Sequence, residues 1–236
     1  MKLIVAFGKA DPAAIVVQKE IPWSEYVAIL LNWREADDKA ARGWSCPAQF
    51  SPRRRHSDNF VARYALTLDY DHVTKADVEK VRESLELIDY LAYTTWSHRP
   101  SKPRWRFVLP LSRPASFDEF QAVSRYVADL AGIELAARES HTPAQMMYLP
   151  TYAPGQPAPQ VLRSTGAPVD VDRVLSGYAD WTNRASWPRR KDHDRVSENE
   201  QAPDPRQKPG VIGAFCRAYS VVDAIEAFDL PYDRVH

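Results

Sequence analysis

The stretch Ala65–His72 reads ALTLDYDH and puts two carboxylates one residue apart at the end of an apolar run. An extended strand sends successive side chains to opposite faces. Leu66, Leu68 and Tyr70 then share a core face, and Ala65, Thr67, Asp69 and Asp71 share the other. The strand rise sets Asp69 and Asp71 roughly 7 Å apart. Unpaired, they repel; a divalent cation between or beside them removes that cost. Two aspartates cannot divide the acid and base roles of proton transfer unless their pKa values split, so a shared Mg²⁺ or Mn²⁺ is the simpler chemistry, with hard oxygen ligands and room for substrate phosphates. The bland alternative is an exposed pair where a strand meets a loop, a common place for Asp.

Three further groups carry chemistry. Ser97-His98 closes the run YLAYTTWSH, and a histidine at that end of a neighbouring strand can donate to a phosphate or move a proton. Arg104 and Arg106 alternate with Trp105 and Phe107, so their guanidiniums share one face and suit a polyphosphate, or form a plain solvent face with paired charges. The run Arg53-Arg54-Arg55 follows a nucleic-acid backbone or is a solvated loop. Trp96 and Trp105 offer base-stacking faces if they are not core. Cys46 and Cys216 stand far apart and define neither a disulfide framework nor a zinc cluster.

The elements that must position these groups follow from periodicity. Residues 2–8 and 14–19 read as strands of a hairpin. Ser24 precedes a helical pattern with Tyr26, Ile29, Leu30 and Trp33 at core spacing. Residues 41–59 read as loop. Thr74-Lys75-Ala76-Asp77 reads as a helix cap, followed by the stripe Val78, Val81, Leu85 and Ile88. Residues 90–98 and 104–111 pair as a hairpin. Ser116-Phe117-Asp118-Glu119 is a capping box opening a helix with Phe120, Val123, Val127 and Leu130 inward. Short strands at 145–150 and 159–163 follow. The order predicts an α+β fold with mostly antiparallel sheets covered by helices. Composition divides the chain into a domain over 1–175, a polar linker over 176–209, and the start of a helical segment over 210–236 that leads into a longer protein.

The chain has 236 residues, 44% hydrophobic, and a formal net charge of zero. That excludes a uniformly basic nucleic-acid binder but allows a local basic cleft. No apolar run is long enough to span a membrane, and no G-x-x-x-x-G-K-[ST] is present, so a cytoplasmic protein without a P-loop ATPase in this stretch is expected.

Taken in order, LTLDYDH, AYTTWSHRPSKPRWRFVLPLSRP and PAQMMYLPT resemble the primase-polymerase domain of phage and plasmid replication proteins, a branch of the archaeo-eukaryotic primase superfamily. The tail DPRQKPGVIGAFCRAYSVVDAIEAF resembles the segment joining such a domain to a helicase. The resemblance covers roughly residues 60–230 and implies an RRM-like catalytic core. It implies Asp69 and Asp71 as metal-binding acids and His98, with Ser97, as the phosphate-contacting motif. It sets Arg104 and Arg106 where the sheet meets the triphosphate or template. The family's third acid falls on Ala137 here, a departure that leaves Glu134 or Glu139 as substitutes or leaves the ligand set incomplete. The implied activity is DNA primase/polymerase, making primers on single-stranded DNA by two-metal nucleotidyl transfer. The implied needs are Mg²⁺ or Mn²⁺, NTP or dNTP, and an attached or associated helicase. One rival is a catalytically weakened nucleotide- or nucleic-acid-binding module of a replication helicase. The other is a metal-dependent nuclease or rolling-circle initiator, disfavoured because no His-hydrophobic-His pair occurs.

Overall fold

The 12-residue strand β6, Phe60–Asp71, is the spine of the fold in the computed structural model, which describes residues 1–191 and 211–219, with 223 and 227. Its alternation is as expected: Leu66, Leu68 and Tyr70 are buried in one apolar cluster and Ala65 in another. β6 runs antiparallel to β8 (Arg104–Ala115), and β8 to β7 (Asp89–Thr94). With β5 (Ala48–Phe50) and β11 (Val161–Thr165) they form a five-stranded antiparallel sheet ordered β11-β7-β8-β6-β5. One face is covered by α2 (Lys75–Ser84), α3 (Phe117–Asp129) and α4 (Val171–Ser176), through Val78, Val81, Phe120, Val123, Val127 and Leu175.

The other face is covered too. A second sheet, ordered β2-β1-β4-β9, combines β1 (Lys2–Gly8), β2 (Ile15–Pro22), β4 (Trp44–Cys46) and β9 (Met147–Tyr148). With α1 (Trp23–Leu31) it sets Leu3, Val5, Tyr26 and Leu30 against Ala65, Leu91, Tyr93 and Val108. A short parallel pair, β3 (Arg34–Glu35) with β10 (Thr151–Tyr152), ties the start of the chain to the segment after β9. The fold is therefore α+β with antiparallel main sheets, as the pattern predicts.

Local chemistry explains the element ends. Thr74 caps α2 by a full capping box, its hydroxyl accepting from Asp77 N–H while the Asp77 carboxylate takes Thr74 N–H. Ser116 and Glu119 do the same for α3. α1 begins at Trp23, directly after Pro22 and one residue before Ser24, which was expected to precede the helix. Leu130 was expected inward but, at the C-cap of α3, is 51% exposed. Ile88 and Trp33 likewise fall beyond their helices and are only half buried.

The largest departure is residues 41–59, read as loop. They contain β4 and β5, whose residues are nearly all buried. Runs of three residues buried on both faces show no alternation, so periodicity cannot find them. Their packing depends on two glycines. Gly8 lies under the Trp44 ring, where a Cβ would meet ring atoms at 2.2 Å. Gly43, at φ +77°, has its Cβ position 2.2 Å from Gly8 O, so only glycine fits.

Two compact units divide the chain, Met1–Arg189 and Arg190–His236. The first takes in 176–189, where composition pointed to a linker; Trp187 is buried and its indole N–H donates to Trp181 O at 2.7 Å. Most of the remaining linker stretch, 192–209, lies outside the described residues. In the second unit α5 spans Val211–Ala218, within the stretch read as helical. No helix among the described residues is long and apolar enough to cross a membrane.

Candidate functional site

β5 pairs with β6 only at Phe60–Arg63, which leaves the outer edge of β6 open toward its far end. The segment 136–140 takes that edge: Ala137 N–H donates to Asp69 O at 2.7 Å, and Asp69 N–H donates to Ser140 Oγ at 2.9 Å. Between these two neighbours the edge at Ala65–Thr67 is covered by a side chain. Arg63, 1% exposed, folds along it and donates from Nε to Ala65 O and from Nη2 to Thr67 Oγ1. Its Nη1 reaches Pro143 O at 3.0 Å, Gln145 O at 2.9 Å and Cys46 Sγ at 2.8 Å. This buried cation pins the 143–145 backbone to β6 and so holds the wall that continues into β9.

The result is a cleft of about 300 Å³. Asp69, Asp71, Arg104 and Arg106 line it from β6 and β8. Glu139, Gln145, Met146 and Tyr148 come from the pinned wall, Ser97 from the turn after β7, and Lys39 from the segment before β4. Asp69 stands directly across the ladder from Arg106, and Asp71 from Arg104. Each pair closes. Arg106 grips both Asp69 oxygens, Nε to Oδ1 at 2.6 Å and Nη2 to Oδ2 at 2.9 Å, a bidentate fork. Arg104 Nη1 donates to Asp71 Oδ2 at 3.2 Å, with both partners more exposed. Burial alone would lower the Arg106 guanidinium's pKa; the Asp69 charge and the Tyr93 hydroxyl outweigh it and hold the pKa above its ordinary value. Beyond Asp71 the strand stops at His72, a non-glycine residue at φ +61°.

The residues expected from the sequence are distributed as follows. Asp69, Asp71, Arg104, Arg106, Ser97 and Glu139 come together in the cleft. His98 does not line it. β7 ends at Thr94 rather than running to 98, and residues 95–102 turn, with His98 N–H donating to Thr95 O. His98 instead borders two neighbouring hollows, where its Nδ1 accepts from Arg104 N–H at 3.1 Å. Burial, aided by the Arg99 charge, lowers its pKa from the ordinary imidazole value. Glu134 lies in a short turn outside the cleft. Arg53, Arg54 and Arg55 also lie outside it; the first two are exposed, while Arg55 donates to Pro12 O and Ala144 O and stacks on Trp44. Trp105 is core, 7% exposed.

Ala137, where the resemblance placed a third acid, does stand beside Asp69, and it brings no ligand. Glu139, two residues on, is exposed on the cleft. Carboxylate oxygens are the right donors for Mg²⁺ or Mn²⁺. Yet both Asp69 oxygens and one of Asp71 are taken by arginines. Among the described residues no three His, Cys, Asp or Glu side chains are grouped to hold an ion. As arranged, these residues do not fit a pre-formed metal centre. Sequence reasoning missed Arg63, Lys39 and Tyr148 as site residues. Arg63 falls on the same face of its strand as Thr67, Asp69 and Asp71, and Lys39 sits in a charged run, READDKAAR, so neither stands out in the sequence.

The site thus belongs to an antiparallel α+β scaffold with a polar cleft built on cross-strand Asp–Arg pairs. Residues 43–190, more than half of the chain, match the model of the VapE N-terminal domain, and the chain belongs to that family. Among solved structures it is similar to the AEP domain of the cyanophage S-2L primase-polymerase (PrimPol), with 12% identity, 74% of this chain and 88% of that chain covered, and a TM-score of 0.43. No curated protein matches.

Proposed function

We propose that this chain is a primase-polymerase-type domain of a replication protein, taking a nucleoside triphosphate and a single-stranded DNA template in the cleft at the end of β6 and β8. The observation that carries this reading is convergence. The D-x-D strand end (69–71), Ser97 with the R-x-R strand (97–106) and the QMMY segment (145–148) come from separate stretches of the sequence, and each contributes to one cleft. Ser97 and the two arginines offer donors to phosphate oxygens, and the guanidinium fork suits them bidentately. Trp96 and Tyr148 supply aromatic surface in the same lining, where a base can stack. Template-directed nucleotidyl transfer is the reaction such a cleft would serve. Asp69 and Asp71 are its candidate acids, and a helicase, fused or associated, its candidate partner.

One observation favours a second reading, a binding module with weakened catalysis. The two aspartates are neutralised by arginines, and the residue beside them is Ala137. Incorporation of labelled NTP or dNTP on single-stranded DNA with Mg²⁺ or Mn²⁺ separates the readings. Product that vanishes in Asp69→Ala/Asp71→Ala identifies a polymerase. Absence of product from folded protein that still binds nucleotide and DNA, with product gained in Ala137→Asp, identifies the weakened module. A chain that binds neither nucleotide nor DNA refutes both.

A further inference from the structure

Among the described residues three cations line the cleft, Lys39, Arg104 and Arg106. Two are already neutralised by the carboxylates opposite them. Lys39 is not: among the described residues no carboxylate lies within 4 Å of its ammonium, which rests 5.3 Å from the Tyr148 ring centroid. A cation over a tyrosine face at an exposed site is held weakly, by about 0.5–1 kcal/mol. It gives up little in leaving the ring for an anion.

Its backbone, in contrast, is fastened. Ala36 N–H donates to Tyr152 O, Arg42 Nη1 to Pro150 O at 2.9 Å, and the Thr151 hydroxyl to Lys39 O at 3.4 Å. The segment is thereby tied to the chain just beyond Tyr148, so Lys39 is delivered to the cleft at a set height with only its side chain free to move. Four methylenes carry three rotatable donors.

We propose that Lys39 is a phosphate-binding residue of this cleft. It swings from Tyr148 onto the phosphate chain of a bound nucleoside triphosphate and bares the tyrosine ring for the base or sugar. This rests on the reading of the cleft as a nucleotide site and adds to it the residue that sets anion affinity. Arg104 and Arg106 must break ion pairs to do the same, whereas Lys39 breaks none.

The test is calorimetric binding of ATP, with adenosine as the phosphate-free control, to the full chain in EDTA, for wild type, Lys39→Gln and Lys39→Arg. Lys39 is exposed, so both variants fold. Loss of one exposed charge contact weakens ATP binding about fivefold in Lys39→Gln. Adenosine binding stays unchanged, Lys39→Arg restores ATP binding, and the difference shrinks toward zero as salt rises. ATP binding by Lys39→Gln equal to wild type overturns the assignment and leaves the nucleotide reading standing. Equal loss of ATP and adenosine also overturns it, by making Lys39 a packing residue. A wild-type chain that binds no ATP, either in EDTA or with Mg²⁺, overturns both.

Discussion

Replacing Arg63 with Met tests the idea that one buried side chain stands in for a missing strand. β5 stops pairing with β6 at Arg63, and the 136–140 segment begins at Asp69. The guanidinium fills the interval with five hydrogen bonds and lies 5.2 Å from the Phe120 ring centroid. Met keeps much of the stem's volume and removes every donor. Ala65 O and Pro143 O lose the donors described here, and each buried carbonyl left without a partner costs about 1–3 kcal/mol. The buried cation also carries a desolvation penalty that Met relieves. The net loss is about 3–4 kcal/mol. For a domain of this size that is a fall in Tm of roughly 6–16 °C. Urea denaturation followed by tryptophan fluorescence measures it, with Arg63→Lys expected in between because it keeps the charge and loses the fork. A loss below about 1 kcal/mol in Arg63→Met would show that the edge finds other donors, and the argument would fail.

Two other substitutions follow from the same structure. The Asp69–Arg106 pair is bidentate with side chains 22% and 15% exposed, so a double-mutant cycle with Asp69→Asn and Arg106→Met gives a coupling of about 1–3 kcal/mol in urea denaturation; a value near zero refutes the pair. Asp89 accepts from the Trp23 indole at 2.9 Å through Oδ2, while its buried Oδ1 has no partner among the described residues, and burial raises its pKa. A carboxyl raised on folding contributes stability below its unfolded pKa and loses it as pH rises through the folded value. Asp89→Asn therefore raises Tm at pH 7, and the gain disappears near pH 4; a gain that is independent of pH contradicts the desolvation argument.

How much was legible depended on which force shaped each element. The long strand, the two capped helices and the hairpin of β7 and β8 carry strong periodicity or caps, and the sequence marks them. β4 and β5 escaped because three-residue strands buried on both faces have no alternation to read. The strand expected to reach His98 ends at Thr94, because aromatic and β-branched residues favour extension in Thr95 and Trp96 but the following Arg99–Lys102 turn folds the chain back on itself. His98 was therefore expected at the acidic end and lies behind it. The resemblance implies one site for the acids, Ser97, His98, the arginines and Glu139 or Glu134; of these, His98 and Glu134 do not line the cleft. Lys39 and Tyr148 reach that site through sheet pairing and the β3–β10 tie, which no local pattern announces.

The aspartates themselves show why composition of a motif underdetermines its chemistry. Two carboxylates on one strand face need a positive charge, and a bound cation is one way to meet that need. In this fold the positive charge is already in the chain: antiparallel register puts Arg106 opposite Asp69 and Arg104 opposite Asp71. Had the ladder slipped by one residue, Trp105 would face a carboxylate and the arginines would enter the core. Register is therefore what converts D-x-D and R-x-R into neutral pairs. It also couples the two functions proposed for the cleft. A phosphate that draws Arg106 away uncovers Asp69, and a ligand that draws Asp69 away frees Arg106 for phosphate. Each then favours the other, so phosphate binding and exposure of the acids are linked through the same two residues.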